Sequence, residues 1–146
     1  MTTPTVSLHF TVQQGATFRQ TFKRFQVPSE AVVRNGTLVY KATGRAVPEA
    51  DKVPVDYSGC SARMQLRRDI GHADVLLTFS TEPQAEQGRI TLGADGAVEL
   101  YLSHAQTSAI TWSDAVGQME VTFTNGDVER HFEIALCVDP EGTRGD

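Results

Sequence analysis

Through most of this chain apolar and polar residues alternate one for one. In "SARMQLR" (61–67) Ala62, Met64 and Leu66 are separated by Arg63, Gln65 and Arg67, and Cys60 extends the apolar frame. Successive side chains of a β-strand point to opposite faces, so this pattern predicts a half-buried strand with Arg63 and Arg67 on its wet side. "VSLHFTV" (6–12) repeats the pattern through Val6, Leu8, Phe10 and Val12. "ATFRQTF" (16–22) carries Phe18 and Phe22 on one face, and Phe25 breaks that parity, which predicts a bulge or strand end near Lys23–Arg24. Further strands are predicted over "VLLTFS" (75–80), with Val75, Leu77 and Phe79 inward, and over "RITL" (89–92) and "AVELYLS" (97–103). In the last of these Val98, Leu100 and Leu102 face in. Met119, Val121 and Phe123, then Phe132, Ile134 and Leu136, flank Asn125-Gly126, a pair whose tolerance of positive φ predicts a tight hairpin turn.

Two regions depart from this period. "SHAQTSAI" (103–110) is the one helical piece, about two turns long, with Ser103 as its N-cap. Residues 28–55 are interrupted by Pro28, Pro48 and Pro54 and by Gly36 and Gly44. They read as an irregular insertion or exposed arm holding one short strand, "TLVYKA" (37–42). Residues 139–146 read as a polar, frayed tail. About seven or eight short alternating strands, with no strand–helix–strand unit, predict a single all-β domain over 1–146, an antiparallel β-sandwich.

Composition narrows the function classes. The chain has 146 residues, 40% apolar and 21% charged, enough to bury a core without metal or disulfide support. Its net charge of −5 argues against general nucleic-acid binding, which draws its affinity from phosphate neutralisation. No apolar stretch approaches the roughly 18 residues of a membrane span, so membrane insertion is not expected. The start, "MTTPTVSLHF", lacks the basic and apolar regions of a secretory signal. Synthesis in a reducing cytoplasm is expected, with Cys60 and Cys137 as free thiols in core-facing frames.

Candidate chemistry is sparse. His9, His72, His104 and His131 form no HExxH or other metal-spaced set, and each reads as a surface or strand-edge residue. Asp56, Asp69 and Asp74, and likewise Asp139, Glu141 and Asp146, lack calcium-loop spacing. "RGD" (144–146) reads as a chance tripeptide, and the Asn35-Gly36-Thr37 sequon as a turn. No catalytic, cofactor or metal site is predicted. The basic runs Arg63, Arg67, Arg68 and Arg19, Lys23, Arg24 have no interleaved aromatics to stack bases, so direct nucleic-acid contact is not expected. They read as solvated strand faces or, since arginine is enriched at interfaces, as protein contacts.

Five segments together carry a resemblance: "QGATF" (14–18), "DYSGCSARMQLR" (56–67), "VLLTFS" (75–80), "GRITLGADGAVELYLSHAQTSAI" (88–110) and "GQMEVTFTNGDVERHFEIALCVDPEGTR" (117–144). In this order they resemble a family of small tailed-phage and prophage virion proteins. That family shows "GDTF", "DLTGYTARMQIR", "VLLDFT", "GxITLxxDGxxxLxLSAAxTAAL" and "YDLELTxxDGxVxRLLEGxVxVxPEVTR". The resemblance implies an immunoglobulin-like sandwich and no catalytic residues. It implies a structural role in the virion, as a tail, baseplate or fibre-attachment adaptor. Its partners would be other virion proteins in multiple symmetric copies. A capsid decoration or head–tail neck protein is the alternative within the virion. A carbohydrate-binding module for host adsorption is the alternative outside it, resting on the scattered Trp112, Tyr40, Tyr57 and Tyr101. Expected partner contacts are Leu38, Val39, Tyr40 and Lys41 of the insertion, whose strand could pair edge-to-edge with a neighbour, and secondarily Arg63 and Arg67.

Overall fold

A computed structural model of the chain describes residues 5–140. The "RGD" tripeptide and the carboxylates of Glu141 and Asp146 lie outside the described residues. The fold is all-β. Among the described residues ten strands form: β1 (Val6–Gln13), β2 (Phe18–Lys23), β3 (Ala31–Arg34), β4 (Thr37–Tyr40), β5 (Ser61–Arg67), β6 (Leu77–Ser80), β7 (Gly88–Leu92), β8 (Ala97–Leu102), β9 (Asp114–Thr122) and β10 (Val128–Asp139). One short helix, α1 (His104–Ser108), follows β8. Eight strands make one sheet in the order β1-β10-β9-β5-β6-β7-β8-β2, and β3 and β4 form a separate hairpin.

The expectation of wholly antiparallel pairing needs correction, because the sheet is mixed. β1 runs parallel to β10, pairing Val6 with Phe132 through Gln13 with Asp139. β6 also runs parallel to β7, but only Phe79 with Gly88 and Ser80 with Arg89 are paired. Parallel neighbours normally need a long return crossover. Here β7 starts level with the end of β6, so the chain steps sideways without doubling back. Gly88 permits this joint: a Cβ there would lie 2.4 Å from the Phe79 ring.

The alternating frames pack into one core. Leu66, Phe79, Leu100, Val121, Phe132 and Ile134 are buried, while Leu77 is half-buried against them. Full burial of such side chains contributes about 1.5–3 kcal/mol each. The predicted inward Val75 lies before β6 and is exposed. The sheet curls until its terminal strands lie side by side, with the Phe10 ring of β1 stacked on Phe22 of β2 at 5.6 Å. Helix α1 secures the turn between those strands. Ser103 and Gln106 form a reciprocal capping box. The buried Thr107 hydroxyl donates to the Ala16 carbonyl at 2.9 Å and accepts from the Gly15 amide at 3.0 Å.

Both Asn-Gly pairs turn the chain as expected, but the tighter turn is the first: Asn35 and Gly36 both adopt positive φ and form the two-residue turn joining β3 to β4. At the β9–β10 hairpin only Gly126 has positive φ. That loop is one residue longer, closed by the Phe123 amide on the Asp127 carbonyl, and the Asn125 side chain accepts from the Asp127 amide. The cysteines are free. Cys137 does not face the core: Ile134 and Leu136 take the inward positions, and its sulfur lies 3.4 Å from the Thr11 hydroxyl. Cys60 packs half-buried against the core edge.

Candidate functional site

Three features stand apart from the apolar core: a buried polar chain, an arm tied to it, and a concave outer sheet face. The polar chain begins where β10 bulges. Arg130 pairs with Glu120 and Phe132 with Met119, which leaves His131 as the extra residue. The bulge turns His131 inward beside Phe132, and both are about 1% exposed. His131 Nδ1 lies 2.8 Å from the Tyr57 hydroxyl, and its Nε2 lies 2.9 Å from Glu129 Oε1. An ionised carboxylate only accepts hydrogen bonds, so Nε2–H donates to Glu129; in the neutral imidazole Nδ1 then accepts from the Tyr57 O–H. Burial favours this neutral form by lowering the imidazole pKa, against the raising effect of the Glu129 hydrogen bond, and the nearby Arg24 guanidinium acts in the same sense as burial. Burial also pushes the Tyr57 hydroxyl well above its ordinary pKa, so it stays protonated. A sealed, protonated Tyr57 is no accessible nucleophile. Burial raises the Cys60 thiol too, which disfavours its reactive thiolate. This chain is a structural bond network, and the reading of His131 as a surface or edge residue is corrected. No sequence signal marked it: the regular Phe132, Ile134, Leu136 frame places His131 outward, and only the bulge turns it in.

Arg24 links the network to the arm. β2 ends at Lys23, as the parity break at Phe25 foretold, and Arg24 turns inward, donating to the His131 carbonyl at 3.2 Å. Its own amide donates to the Gly96 carbonyl at 2.9 Å, and its carbonyl accepts from the Val55 amide at 3.0 Å. The Gln26 amide donates to the Val53 carbonyl at 2.7 Å, and Phe25 bridges Pro54. Residues 24–26 and 53–55 thus form a stem from which the intervening segment projects. Outside the main core, the arm buries Ala31, Val39 and Val47.

The arm changes the expected edge contact. β4 has β3 on one side, and on the other the Tyr40 amide donates to the Arg45 carbonyl and the Val47 amide to the Leu38 carbonyl. Both edges of β4 are occupied, so it has no open ladder to offer. Val39 is buried at 8% exposure; Leu38 and Tyr40 are half-buried and Lys41 is exposed. Within the arm, the strand that pairs on one side alone is β3, with Val33 exposed.

Arg63 and Arg67 occupy the third feature, a concavity of about 660 Å³ on the outer face of β6, β5 and β9. Their roles differ. Arg67 is spent locally, donating to the His72 carbonyl at 3.2 Å, to the Ala73 carbonyl, and to Gln65 Oε1 at 3.0 Å, which fastens the β5–β6 loop. Arg63 is exposed and stands opposite Glu120 in the ladder. It forms no ion pair among the described residues. The aromatics considered for sugar stacking do not converge. Tyr57 is buried, and the Tyr101 ring has the Arg19 and Arg89 guanidiniums 4.9 and 4.7 Å from its centroid. Among the described residues no group of three or more His, Cys, Asp or Glu could hold a metal ion, and no helix is long and apolar enough to cross a membrane. Comparison with protein-family models and with curated proteins gives no match.

Proposed function

We infer that the chain is a non-enzymatic structural component of a tailed-phage virion, an adaptor of the tail, baseplate or fibre-attachment region acting through protein–protein contacts. One observation carries this reading. Within the described residues, the segments that resemble the virion family fall on the turn into β2, on β5 to β10 and on α1; they leave out β1 and most of β2, and the long stretch they skip, 28–55, holds the arm outside the main sheet. A shared scaffold with a private projection suits a particle protein that keeps its fold and changes its neighbour.

An immunoglobulin-like sandwich is the finer fold we propose. The two-residue β6–β7 joint divides the sheet into a leaf of β1, β10, β9, β5 and β6 and a leaf of β7, β8 and β2. Phe22 of the second leaf meets Phe132 of the first edge-on at 4.9 Å, as facing leaves of a sandwich would. Attachment is assigned to the arm surface of Leu38, Tyr40 and Lys41. Symmetric repetition in a particle would multiply modest contacts of this kind.

The test is incorporation. Particles induced from the source strain should contain the chain at fixed stoichiometry by quantitative mass spectrometry; its absence from them overturns the reading. Replacing residues 27–52 by Asn-Gly should close the stem as a two-residue hairpin and give a folded protein that no longer enters particles. If that protein does not fold, the triple variant Leu38→Ser, Tyr40→Ala, Lys41→Glu tests the same surface. Normal incorporation of either folded protein overturns the role of the arm.

A further inference from the structure

We propose that the concave outer face of β6, β5 and β9 is a second docking site, one that receives an extended polypeptide segment of a partner protein, apolar at both ends and carrying a carboxylate between them. This deepens the partner-contact reading and rests on it only in taking the partner to be a protein. The argument begins with unspent hydrogen-bonding capacity. Arg63 and Glu120 are direct cross-strand neighbours, whose Cβ atoms stand about 4.5–5.5 Å apart in such a ladder, yet they form no ion pair. Next along the ladder, Gln65 faces Gln118. The Gln65 oxygen is taken by Arg67, which leaves its NH2 group as a donor, and the half-buried Gln118 makes no side-chain hydrogen bond among the described residues. The Arg63 guanidinium, the Glu82 and Glu120 carboxylates, the Gln118 amide and the Gln65 NH2 group therefore line one concavity with hydrogen-bonding capacity left over among the described residues.

That set selects the occupant by complementarity. Arg63 presents a planar donor fork that a carboxylate meets with two parallel hydrogen bonds. Glu120 accepts from an amide or ammonium one position along, and the glutamines match the alternating N–H and C=O groups of an extended backbone. The ends of the concavity are apolar: Ile70 and Val116 at one, Val128 at the other. From Val116 to Thr122 on β9 is about 20 Å at roughly 3.3 Å per residue, room for about six residues of extended chain. No aromatic ring lines the concavity, which removes the stacking platform that would favour a sugar.

The face lies outside the core, so its variants test docking without unfolding the domain. A random dodecapeptide display library panned on the intact protein should enrich sequences with an Asp or Glu between two apolar residues about five positions apart. Binding of those peptides, measured by calorimetry, should fall at least tenfold in Arg63→Ala and in Gln118→Ala, and should persist in Arg19→Ala on the opposite leaf. Enriched peptides that bind Arg63→Ala and Gln118→Ala as well as they bind the parent overturn the proposal, as does panning that enriches nothing. A glycan-array signal lost in the same two variants also overturns it and reassigns the face to a saccharide. Failure here leaves the arm's role in particle incorporation standing, because that is read from different residues.

Discussion

Replacing Tyr57 by Phe removes one oxygen atom from the centre of the buried polar chain. The ring stays, so its packing against Phe123 and His131, at centroid separations of 6.4 and 5.7 Å, is kept. What disappears is the O–H donated to His131 Nδ1 at 2.8 Å. His131 is about 1% exposed, so no bulk water reaches the vacated acceptor. A buried acceptor without its partner costs about 1–3 kcal/mol, more than the net worth of an ordinary hydrogen bond. For a domain of this size each kcal/mol moves the midpoint by about 2–4 °C, so Tm should fall by roughly 2–12 °C. Urea unfolding at pH 8, followed by circular dichroism, measures the loss, and an unchanged m-value would show that the denatured state is unaltered. The double variant Tyr57→Phe, His131→Phe should be less destabilised than the sum of the single changes, by about 0.5–3 kcal/mol, since both buried polar partners then vanish together. Glu129, whose side chain is 42% exposed, can hydrate when His131 is gone. A loss below about 0.5 kcal/mol for Tyr57→Phe, or strict additivity in the double variant, refutes the hydrogen-bonded chain as described.

The same histidine sets a pH dependence. The unfolded chain protonates His131 near its ordinary value of about 6.5 and the folded chain only at lower pH, so the unfolded state holds more protons in between. This contribution is therefore complete above that value and declines as pH falls through it; urea midpoints between pH 8 and 5 should drop less steeply in His131→Phe than in the parent. Leu100→Ala, at a fully buried position, should cost about 2–5 kcal/mol by chemical denaturation. Gly96→Ala should loosen the arm's stem. It places a Cβ 2.3 Å from the Arg24 carbonyl at a φ of +80°, and left-handed backbone alone costs about 1–2 kcal/mol in an L-residue. Limited proteolysis should then cut near residues 26 and 53 faster than in the parent.

Local pattern determined much of this protein. Period-two alternation marked the eight strands of the main sheet and nearly all of their inward residues, because burial of one strand face is written residue by residue. Ser103 announced helix α1, since an N-cap acts on the amides of the next few residues; that Gln106 completes a capping box was seen only in the structure. The parity break at Phe25 located the end of β2. Tertiary structure decided the rest. Strand direction is not encoded in alternation, so the parallel β1–β10 and β6–β7 pairs were invisible along the chain. The bulge at His131 depends on Tyr57, 74 positions away, to receive the imidazole, and only the folded chain brings them to 2.8 Å. Arg63 and Arg67 look alike in sequence; carbonyls at His72 and Ala73 engage Arg67, while Arg63 faces Glu120 and forms no ion pair among the described residues. The arm was legible as an interruption, but Ala31 to Tyr40 became a hairpin with its own buried residues because the stem holds its ends together. Contacts within a turn or strand are local and leave their mark in sequence, whereas hydrogen bonds between distant segments exist only once the chain has closed on itself.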